Sequence, residues 1–266
     1  MDLGLQGRRA LVTGSSSGIG EGIAKALAKE GVNLIIHGRK RNRAENVARQ
    51  VRELGVEADI VIADINQPDQ VERLGTEALA LGDIDILINC AGAGFSRRWF
   101  ETPMERWREQ MEHSLFYAVK LIQMLVPLMR ERGWGRILNV SSAAGFKTTP
   151  YGPEYSAAKL ALQTVSGSLA AELASEGITA NTLTAGLVMT ENTLGVIAER
   201  GAALGWSETG DALEKRVCEE LWQVPFGRGA KVEEMADAAV FLVSQRASYV
   251  SGTSLRVDGA ASGFVH

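Results

Sequence analysis

Short apolar runs alternate with longer amphipathic segments along most of this chain. Apolar, β-branched runs predict strands at residues 9–13, 32–37, 57–63, 84–89, 135–141, 178–184 and 253–257. Apolar residues spaced three or four apart predict helices at residues 19–30, 43–54, 69–81, 104–130, 154–175 and 232–244, with Pro127 near the end of the fourth. Strands that alternate with helices indicate right-handed βαβ units. We therefore expect one α/β domain over residues 1–266, a doubly wound parallel sheet of about seven strands with helices on both faces.

Residues 190–224 are less regular and break this alternation. A connection of this length is usually functional, so the segment is expected to be a substrate lid. Its apolar residues are Leu194, Ile197, Leu204, Trp206, Leu213, Leu221 and Trp222. They are compatible with a helical flap that closes over an apolar substrate and expels water. Helices that pack on the domain or on a neighbouring subunit are an equally good interpretation.

Composition narrows the class of protein. Apolar residues make up 45%, charged residues 23% and the net charge is −4, which is ordinary for a globular enzyme and argues against nucleic-acid binding. Two cysteines, Cys90 and Cys218, suit a reducing compartment. Neither a signal peptide nor a run of roughly 20 apolar residues is recognisable, so we expect a cytoplasmic protein without a membrane partner. The sequence assigns no metal site.

A glycine-rich turn follows the first predicted strand. It reads Thr13-Gly14-Ser15-Ser16-Ser17-Gly18-Ile19-Gly20 and leads into the first predicted helix. Glycines allow the backbone to approach a pyrophosphate, and a helix N-terminus attracts anions. A plain tight turn is the alternative, but the position between the first strand and the first helix favours a dinucleotide site in a Rossmann-type fold.

Further motifs appear in a fixed order. They are Asp64, Asn89-Cys90-Ala91-Gly92, Ser142, Tyr155, Lys159, Pro225-Phe226-Gly227-Arg228 and Val257-Asp258-Gly259. With these motifs the chain resembles the short-chain dehydrogenase/reductase family over about residues 5–260. The resemblance includes members similar to 3-oxoacyl-carrier-protein reductases and to sugar or polyol dehydrogenases.

The resemblance implies roles for individual residues. Ser142 would bind the substrate oxygen, Asp64 the adenine and Lys159 the nicotinamide ribose. The implied cofactor site comprises Gly14, Ser16, Ser17, Gly18, Ile19, Gly20, Arg39, Asp64, Ile65, Asn89, Ala91, Gly92, Tyr155, Lys159, Gly186, Val188 and Thr190. Family members are commonly homotetramers, and the predicted helices 104–130 and 154–175 could supply the interface.

Tyr155 and Lys159 are four residues apart on a predicted helix, so they share a face. A free tyrosine has a pKa of about 10, and an ammonium within about 4–6 Å is expected to lower it. Tyr155 could then act as general acid and base. An ordinary surface Tyr/Lys pair is the alternative, and Ser142 at a strand end argues against it. The spacing to Tyr155 favours Ser142 over the adjacent Ser141.

Two positions depart from the family pattern. Seven residues after Trp107, where many members carry a catalytic asparagine, this chain has Ser114. A serine hydroxyl can still donate and accept in a proton relay, so Ser114 is a candidate catalytic residue. Its neighbour His113 is interpreted as structural. Ala185-Gly186 replaces the usual Pro-Gly, and loss of the proline is expected to loosen the lid hinge.

The end of the second predicted strand bears on the cofactor. NAD-specific folds usually carry an acid there, but this chain reads His37-Gly38-Arg39-Lys40. The guanidinium of Arg39 can pair with a 2′-phosphate, which favours NADP(H) over NAD(H). A solvated basic helix start is the alternative.

The sequence thus predicts an NADP(H)-dependent oxidoreductase that interconverts a small-molecule carbonyl and a secondary alcohol. A non-catalytic dinucleotide-binding sensor or scaffold is the alternative, supported only by Ser114. A halohydrin-type lyase on the same fold would replace the lysine with arginine and lose the glycine turn, and this chain does neither.

Overall fold

The computed structural model describes residues 1–94, 97–147 and 150–263. Seven strands form one sheet in the order β3-β2-β1-β4-β5-β6-β7, and every neighbouring pair is parallel. They are β1 (Arg9–Val12), β2 (Asn33–Gly38), β3 (Ala58–Ile62), β4 (Ile86–Asn89), β5 (Gly135–Ser142), β6 (Ile178–Ala185) and β7 (Ser254–Val257). The strand order reverses direction between β1 and β4, which confirms the predicted doubly wound α/β fold.

Helices cover both faces of the sheet. They are α1 (Gly18–Lys29), α2 (Arg41–Arg52), α3 (Pro68–Ala80), α4 (Met104–Met111), α5 (Tyr117–Arg132), α6 (Pro153–Leu173), α7 (Glu191–Ala203), α8 (Gly210–Val217) and α9 (Val232–Val243). Val12 packs with α1, α2 and α9 in one buried cluster, and its neighbour Leu11 packs with α3, α5 and α6 in another. Successive side chains of a strand point to opposite faces, so a sheet buried on both faces reads as a continuous apolar run.

The long helix predicted at residues 104–130 is interrupted. α4 ends at Met111, a π-helical turn occupies Glu112–Phe116, and α5 continues to Arg132 with Pro127 inside it. Ser114 lies buried in the π turn. A π turn is a local insertion that hydrophobic periodicity does not reveal, and such turns are frequent at functional sites.

Residues 190–224 are helical rather than irregular. They form α7, α8 and a second π turn at Cys218–Trp222. Ile197, Leu213 and Val217 make a small core separate from the two main clusters. Leu194 and Leu204 are exposed, so only part of the predicted apolar underside is buried.

A buried polar network ties the strand ends to α6. The Asn89 amide donates to Asn139, whose amide donates to Ser166 on α6, at 2.8 Å in each case. The hydroxyl of Thr182 on β6 also donates to Ser166, at 2.8 Å. These buried hydrogen bonds link β4, β5 and β6 to α6.

Within the described residues, no helix is both long enough and apolar enough to cross a membrane.

Candidate active site

The glycine turn lies at the carboxyl end of β1, where the strand order reverses. Gly14 has a φ of 70°, in the left-handed region that favours glycine. A Cβ at Gly14 would lie 2.9 Å from the Cα of Ala91, and one at Gly20 would lie 2.5 Å from the carbonyl oxygen of Gly14. Neither position has room for a side chain, so the turn packs tightly against the exit of β4.

The N-terminus of α1 completes this cradle. Ser17 precedes the helix in an extended conformation, and no side chain caps the first turn. The free N–H groups and the helix dipole at Gly18, Ile19 and Gly20 favour an anion. These residues fit the pyrophosphate of a dinucleotide. The methyl group of Thr190 lies 3.4 Å from where a Cβ of Gly18 would be, which brings the start of the 190–224 segment over the turn.

His37 holds the glycine turn through contacts of its two ring nitrogens, a role that sequence reasoning missed. The Gly14 amide donates to Nδ1 of His37 at 3.0 Å, and Nε2 lies 3.2 Å from the carbonyl oxygen of Ala63. Burial lowers the pKa of His37 to about 4, so the ring is neutral. Nε2 is then the donor and Nδ1 the acceptor. The signal in the sequence is a histidine at the end of an apolar strand.

The exit of β4 is held by two hydroxyl groups. Thr13 Oγ1 accepts from the amides of Cys90 at 2.9 Å and Ala91 at 3.1 Å. The Tyr117 hydroxyl donates to the carbonyl of Ala91 at 2.8 Å. Of the predicted motif, Ala91 therefore packs against the glycine turn and Gly92 lies near Lys159, whereas the Asn89 side chain belongs to the buried network described above.

At the end of β2, Arg39 is exposed and forms no ion pair with any described residue. A side chain at Gly38 would collide with the hydroxyl of Ser16, so Ser16 fills the space where an acid would otherwise project. Asp64 accepts from the side-chain amide of Asn66 at 2.9 Å, and Ile65 is buried in the core. A cation and a small hydroxyl thus replace the acid typical of NAD-specific folds.

His113 lies beside this edge. Its Nδ1 is 2.6 Å from Oδ1 of Asn66, and its Nε2 is buried without a partner among the described residues. Burial, followed by the charge of Lys159, lowers the pKa of His113. In the neutral ring Nδ1 donates to Asn66, which leaves Nε2 as an acceptor. The interpretation of His113 as purely structural does not explain this unsatisfied atom.

Ser142 ends β5, and Tyr155 and Lys159 follow on α6. Ser142 and Tyr155 face the same cavity, and hydrogen bonding by Ser142 acts to lower the pKa of Tyr155. Lys159 Nζ donates to the carbonyl of Val140 at 2.9 Å and lies 5.8 Å from the centre of the Tyr155 ring. Ser141 is buried and donates to the carbonyl of Lys159 at 2.9 Å, so Ser142 is the serine that meets Tyr155.

The expected lowering of the Tyr155 pKa is wrong for this arrangement. Burial raises the pKa of Tyr155, and the hydrogen bond with Ser142 only partly opposes it. Burial also lowers the pKa of Lys159 to about 8. The ammonium is directed at the carbonyl of Val140 rather than at the phenol, so Tyr155 stays protonated at neutral pH.

Ser114 makes a different contact from the one expected. Its hydroxyl accepts from the side-chain amide of Gln110 at 2.7 Å, and that amide also donates to the carbonyl of Ala93 at 3.1 Å. Among the described residues, no hydrogen bond joins Ser114 to Tyr155 or Lys159. Through Gln110, Ser114 is therefore linked to α4 and to the segment after β4.

A cavity of about 570 Å³ opens beside Tyr155 at the carboxyl ends of β5 and β6. Its described walls include Gly94, Ser142, Lys147, Tyr151, Tyr155, Ser156, Gly186, Leu187, Arg200, Leu221, Trp222 and Val224. Of the apolar residues predicted to line a lid, only Leu221 and Trp222 reach this cavity. Its size and position suit a small substrate at the active edge of an open α/β sheet.

The start of the predicted lid is anchored to the sheet. Ala185 is the last residue of β6 and pairs with Ser142 on one side and Val257 on the other. The Gly186 amide donates to the carbonyl of Val257 at 3.0 Å, and Val188 forms a parallel bridge with Ala230. The backbone is therefore fixed through Val188, and any hinge lies beyond the position of the replaced proline.

Comparisons with known proteins agree with this geometry. A family model described as short chain dehydrogenase matches residues 8–200. This chain belongs to the short-chain dehydrogenase family. It is 33% identical to the uncharacterized oxidoreductase YvrD of Bacillus subtilis, over 97% of this chain and 98% of that protein. It is also 33% identical to the 3-oxoacyl-[acyl-carrier-protein] reductase FabG of Aquifex aeolicus, over 97% of this chain and 99% of that protein.

Among solved structures, the fold resembles L-sorbose reductase from Gluconobacter frateurii complexed with NADPH and L-sorbose. The TM-score is 0.94, with 34% identity over 100% of both chains. Membership of the family and these relatives identify the chain as an NAD(P)-dependent oxidoreductase acting on CH–OH and carbonyl groups.

The packing of the glycine turn generates a direct test. Gly20→Ala should weaken NADPH binding at least about 10-fold, because its Cβ would displace the carbonyl of Gly14 and with it the cradle. Fluorescence titration of NADPH measures the Kd. Gly167→Ala on α6 is the matched control, since its Cβ meets nothing within 4 Å. That variant should bind NADPH normally and gain up to about 1 kcal/mol in stability. Equal binding by both variants would show that the turn does not hold the cofactor.

Proposed function

We propose that the protein is an NADPH-dependent carbonyl reductase that also runs in reverse as a secondary-alcohol dehydrogenase, with Tyr155 as general acid and base. The position of Tyr155 and Ser142 side by side in the lining of the cavity carries this proposal. It puts a protonated phenol and a second hydroxyl where a substrate carbonyl would enter.

The proposed reaction consists of a hydride transfer and a proton transfer, each from a different group. When bound, the reduced nicotinamide supplies a hydride to the carbonyl carbon. Ser142 holds the carbonyl oxygen by a hydrogen bond, and the Tyr155 hydroxyl gives that oxygen its proton. Lys159, whose Nζ would lie 3.5 Å from a Cβ at Gly92, supplies positive charge between the phenol and the cofactor cradle. In the oxidative direction the tyrosinate accepts the proton of the alcohol.

The proposed preference for NADPH depends on the end of β2. Arg39 is the exposed cation there, and Ser16 occupies the space beside Gly38. A guanidinium binds a phosphate through two parallel hydrogen bonds, which only the 2′-phosphate of NADPH offers at this place. The NADPH present in the Gluconobacter frateurii enzyme supports the same assignment.

A non-catalytic dinucleotide sensor is the second candidate. Ser114 favours it, because its hydroxyl is bound to Gln110 instead of facing Tyr155. Ser142 and Tyr155, which line the same cavity, favour catalysis. A screen of ketones, aldehydes and alcohols with both cofactors, read at the nicotinamide absorbance, separates the two candidates, because a sensor would bind NADPH without turnover.

We also propose a homotetramer assembled through the α4–α5 and α6 helices. Phe116 and Leu160 are 49% and 46% exposed there, which suits burial against a second copy. Analytical ultracentrifugation measures the mass, and a monomer at micromolar concentration would refute the assembly.

The proposal that residues 190–224 move as a lid is checked by limited proteolysis, which should slow when NADPH and substrate are bound.

Replacement of Tyr155 by phenylalanine tests the proton transfer. Tyr155→Phe keeps the ring, so the Kd for NADPH should stay within about twofold, while kcat falls roughly 10²–10⁴-fold. Tyr249→Phe, which removes a fully exposed hydroxyl, is the matched control and should leave kcat unchanged.

The pH dependence in the wild type follows from the raised pKa of Tyr155. Reduction needs the protonated phenol and should be sustained at neutral pH, whereas oxidation needs the phenolate and should rise as pH increases above neutral. Near-wild-type turnover by Tyr155→Phe would remove Tyr155 from the mechanism.

Removal of the Arg39 guanidinium tests cofactor choice. Arg39→Ala should raise the Kd for NADPH about 10- to 100-fold and leave that for NADH almost unchanged, because a charge-assisted pair with the 2′-phosphate is lost. Arg43→Ala, an exposed cation on α2, is the control for general electrostatics. A parallel loss for both cofactors would mean that Arg39 does not read the phosphate.

A further inference from the structure

The cavity beside Tyr155 carries charge of one sign only. Of the described residues that line it, two have ionised side chains at neutral pH, Lys147 and Arg200. Lys147 belongs to the segment after β5, and Arg200 to the last turn of α7 in the 190–224 segment. No aspartate or glutamate is among the described wall residues. This is unexpected in a chain with a net charge of −4.

Neither cation is neutralised by a residue that the structure describes. Among the described residues, Lys147 and Arg200 form no ion pair and no side-chain hydrogen bond. Other arginines nearby behave differently. Arg216 contacts Glu208 at 2.7 Å and Glu220 at 2.9 Å, and Arg228 contacts Glu234 at 2.7 Å. The two cavity cations therefore differ from Arg216 and Arg228, whose charges are paired with glutamates.

The other described residues that line the cavity carry no charge. Ser142 and Tyr155 supply hydroxyl groups, and Leu221, Trp222 and Val224 add apolar surface. The Ser156 hydroxyl is buried without a partner among the described residues, so the wall also holds an unsatisfied polar atom. A concave site lined with one sign of charge concentrates ligands of the opposite sign.

We propose, on the basis of the function proposed above, that the substrate is an anionic carbonyl compound whose carboxylate or phosphate is bound by Lys147 and Arg200. The carbonyl lies at Ser142 and Tyr155, and the anionic group extends toward the outer wall. Arg200 belongs to the predicted lid and Lys147 to the main domain, so one anion bound by both links the two parts. Recognition of the anion and closure of the lid are then the same event.

The experiment compares substrates that differ only in charge. Oxo carboxylic acids, their neutral methyl esters and anionic oxo phosphate esters of matching length are assayed with NADPH on the wild type. Each oxo acid should have a kcat/KM at least about 10-fold higher than its methyl ester, and this ratio should shrink as ionic strength rises. The more active of the carboxylate and phosphate series identifies which anion the site takes.

Variants assign the effect to the two cations. Lys147→Gln and Arg200→Gln should each raise KM for the anionic substrate about 10-fold, with little change for the neutral ester or in the Kd for NADPH. Lys215→Gln, an exposed lysine on α8 in the same segment, is the matched control and should change none of these. Arg200→Glu should reverse the order of the acid and its ester.

Binding provides a readout that is independent of turnover. In Tyr155→Phe with NADPH bound, intrinsic tryptophan fluorescence, to which Trp222 in the cavity wall contributes, should respond to the oxo acid at lower concentration than to its ester, and the added Arg200→Gln change should abolish the difference. Equal use of acid and ester by the wild type would overturn the anionic-substrate inference while the proposed reductase function stands. If no carbonyl compound in the series is reduced and none binds, both proposals fail.

Discussion

The hydrogen bond from the Gly14 amide to His37 fixes the turn on which the proposed cofactor site depends. Gly14 leaves β1 in a left-handed conformation, and its N–H must find a partner inside the protein. His37 supplies that partner, and its other nitrogen bonds the carbonyl of Ala63 after β3. One neutral ring thus holds the ends of three adjacent strands. A charged imidazole could not accept from Gly14, so burial of His37 is a condition for the shape of the cradle.

The fold could be predicted because each strand and helix is specified by a short stretch of sequence. Each buried strand is an apolar run, and each helix has apolar residues three or four positions apart. Because strands and helices alternate, few topologies are possible. The glycine turn and the Ser142, Tyr155 and Lys159 spacing also lie in short stretches of sequence. His37 could not be assigned in this way, because its partners are Gly14 and Ala63, distant along the chain. The π turn around Ser114 was equally hidden, since one inserted residue hardly alters hydrophobic periodicity.

The electrostatics of Tyr155 show where sequence reasoning reaches its limit. Spacing on a helix places Lys159 on the same face as Tyr155, but it does not say which acceptor the ammonium contacts. The structure directs Nζ to the carbonyl of Val140, and burial then dominates the pKa of the phenol. Desolvation depends on every element packed around a group, so its sign follows only from the three-dimensional arrangement. The protonated phenol that results is the form that a reductase needs.

The proposed cofactor end and the proposed substrate end of the site differ in how they are packed. The proposed cofactor end is tightly packed, because glycine packing, the His37 bond and the Asn89 network each hold its backbone. The substrate end combines a fixed floor at Ser142 with walls from a helical segment that has its own small core. A segment with separate packing can shift without disturbing the sheet, which is the property that substrate closure requires. Since Gly186 and Val188 are bonded to the sheet, such motion would leave the floor of the site in place while its outer wall adapts to the ligand.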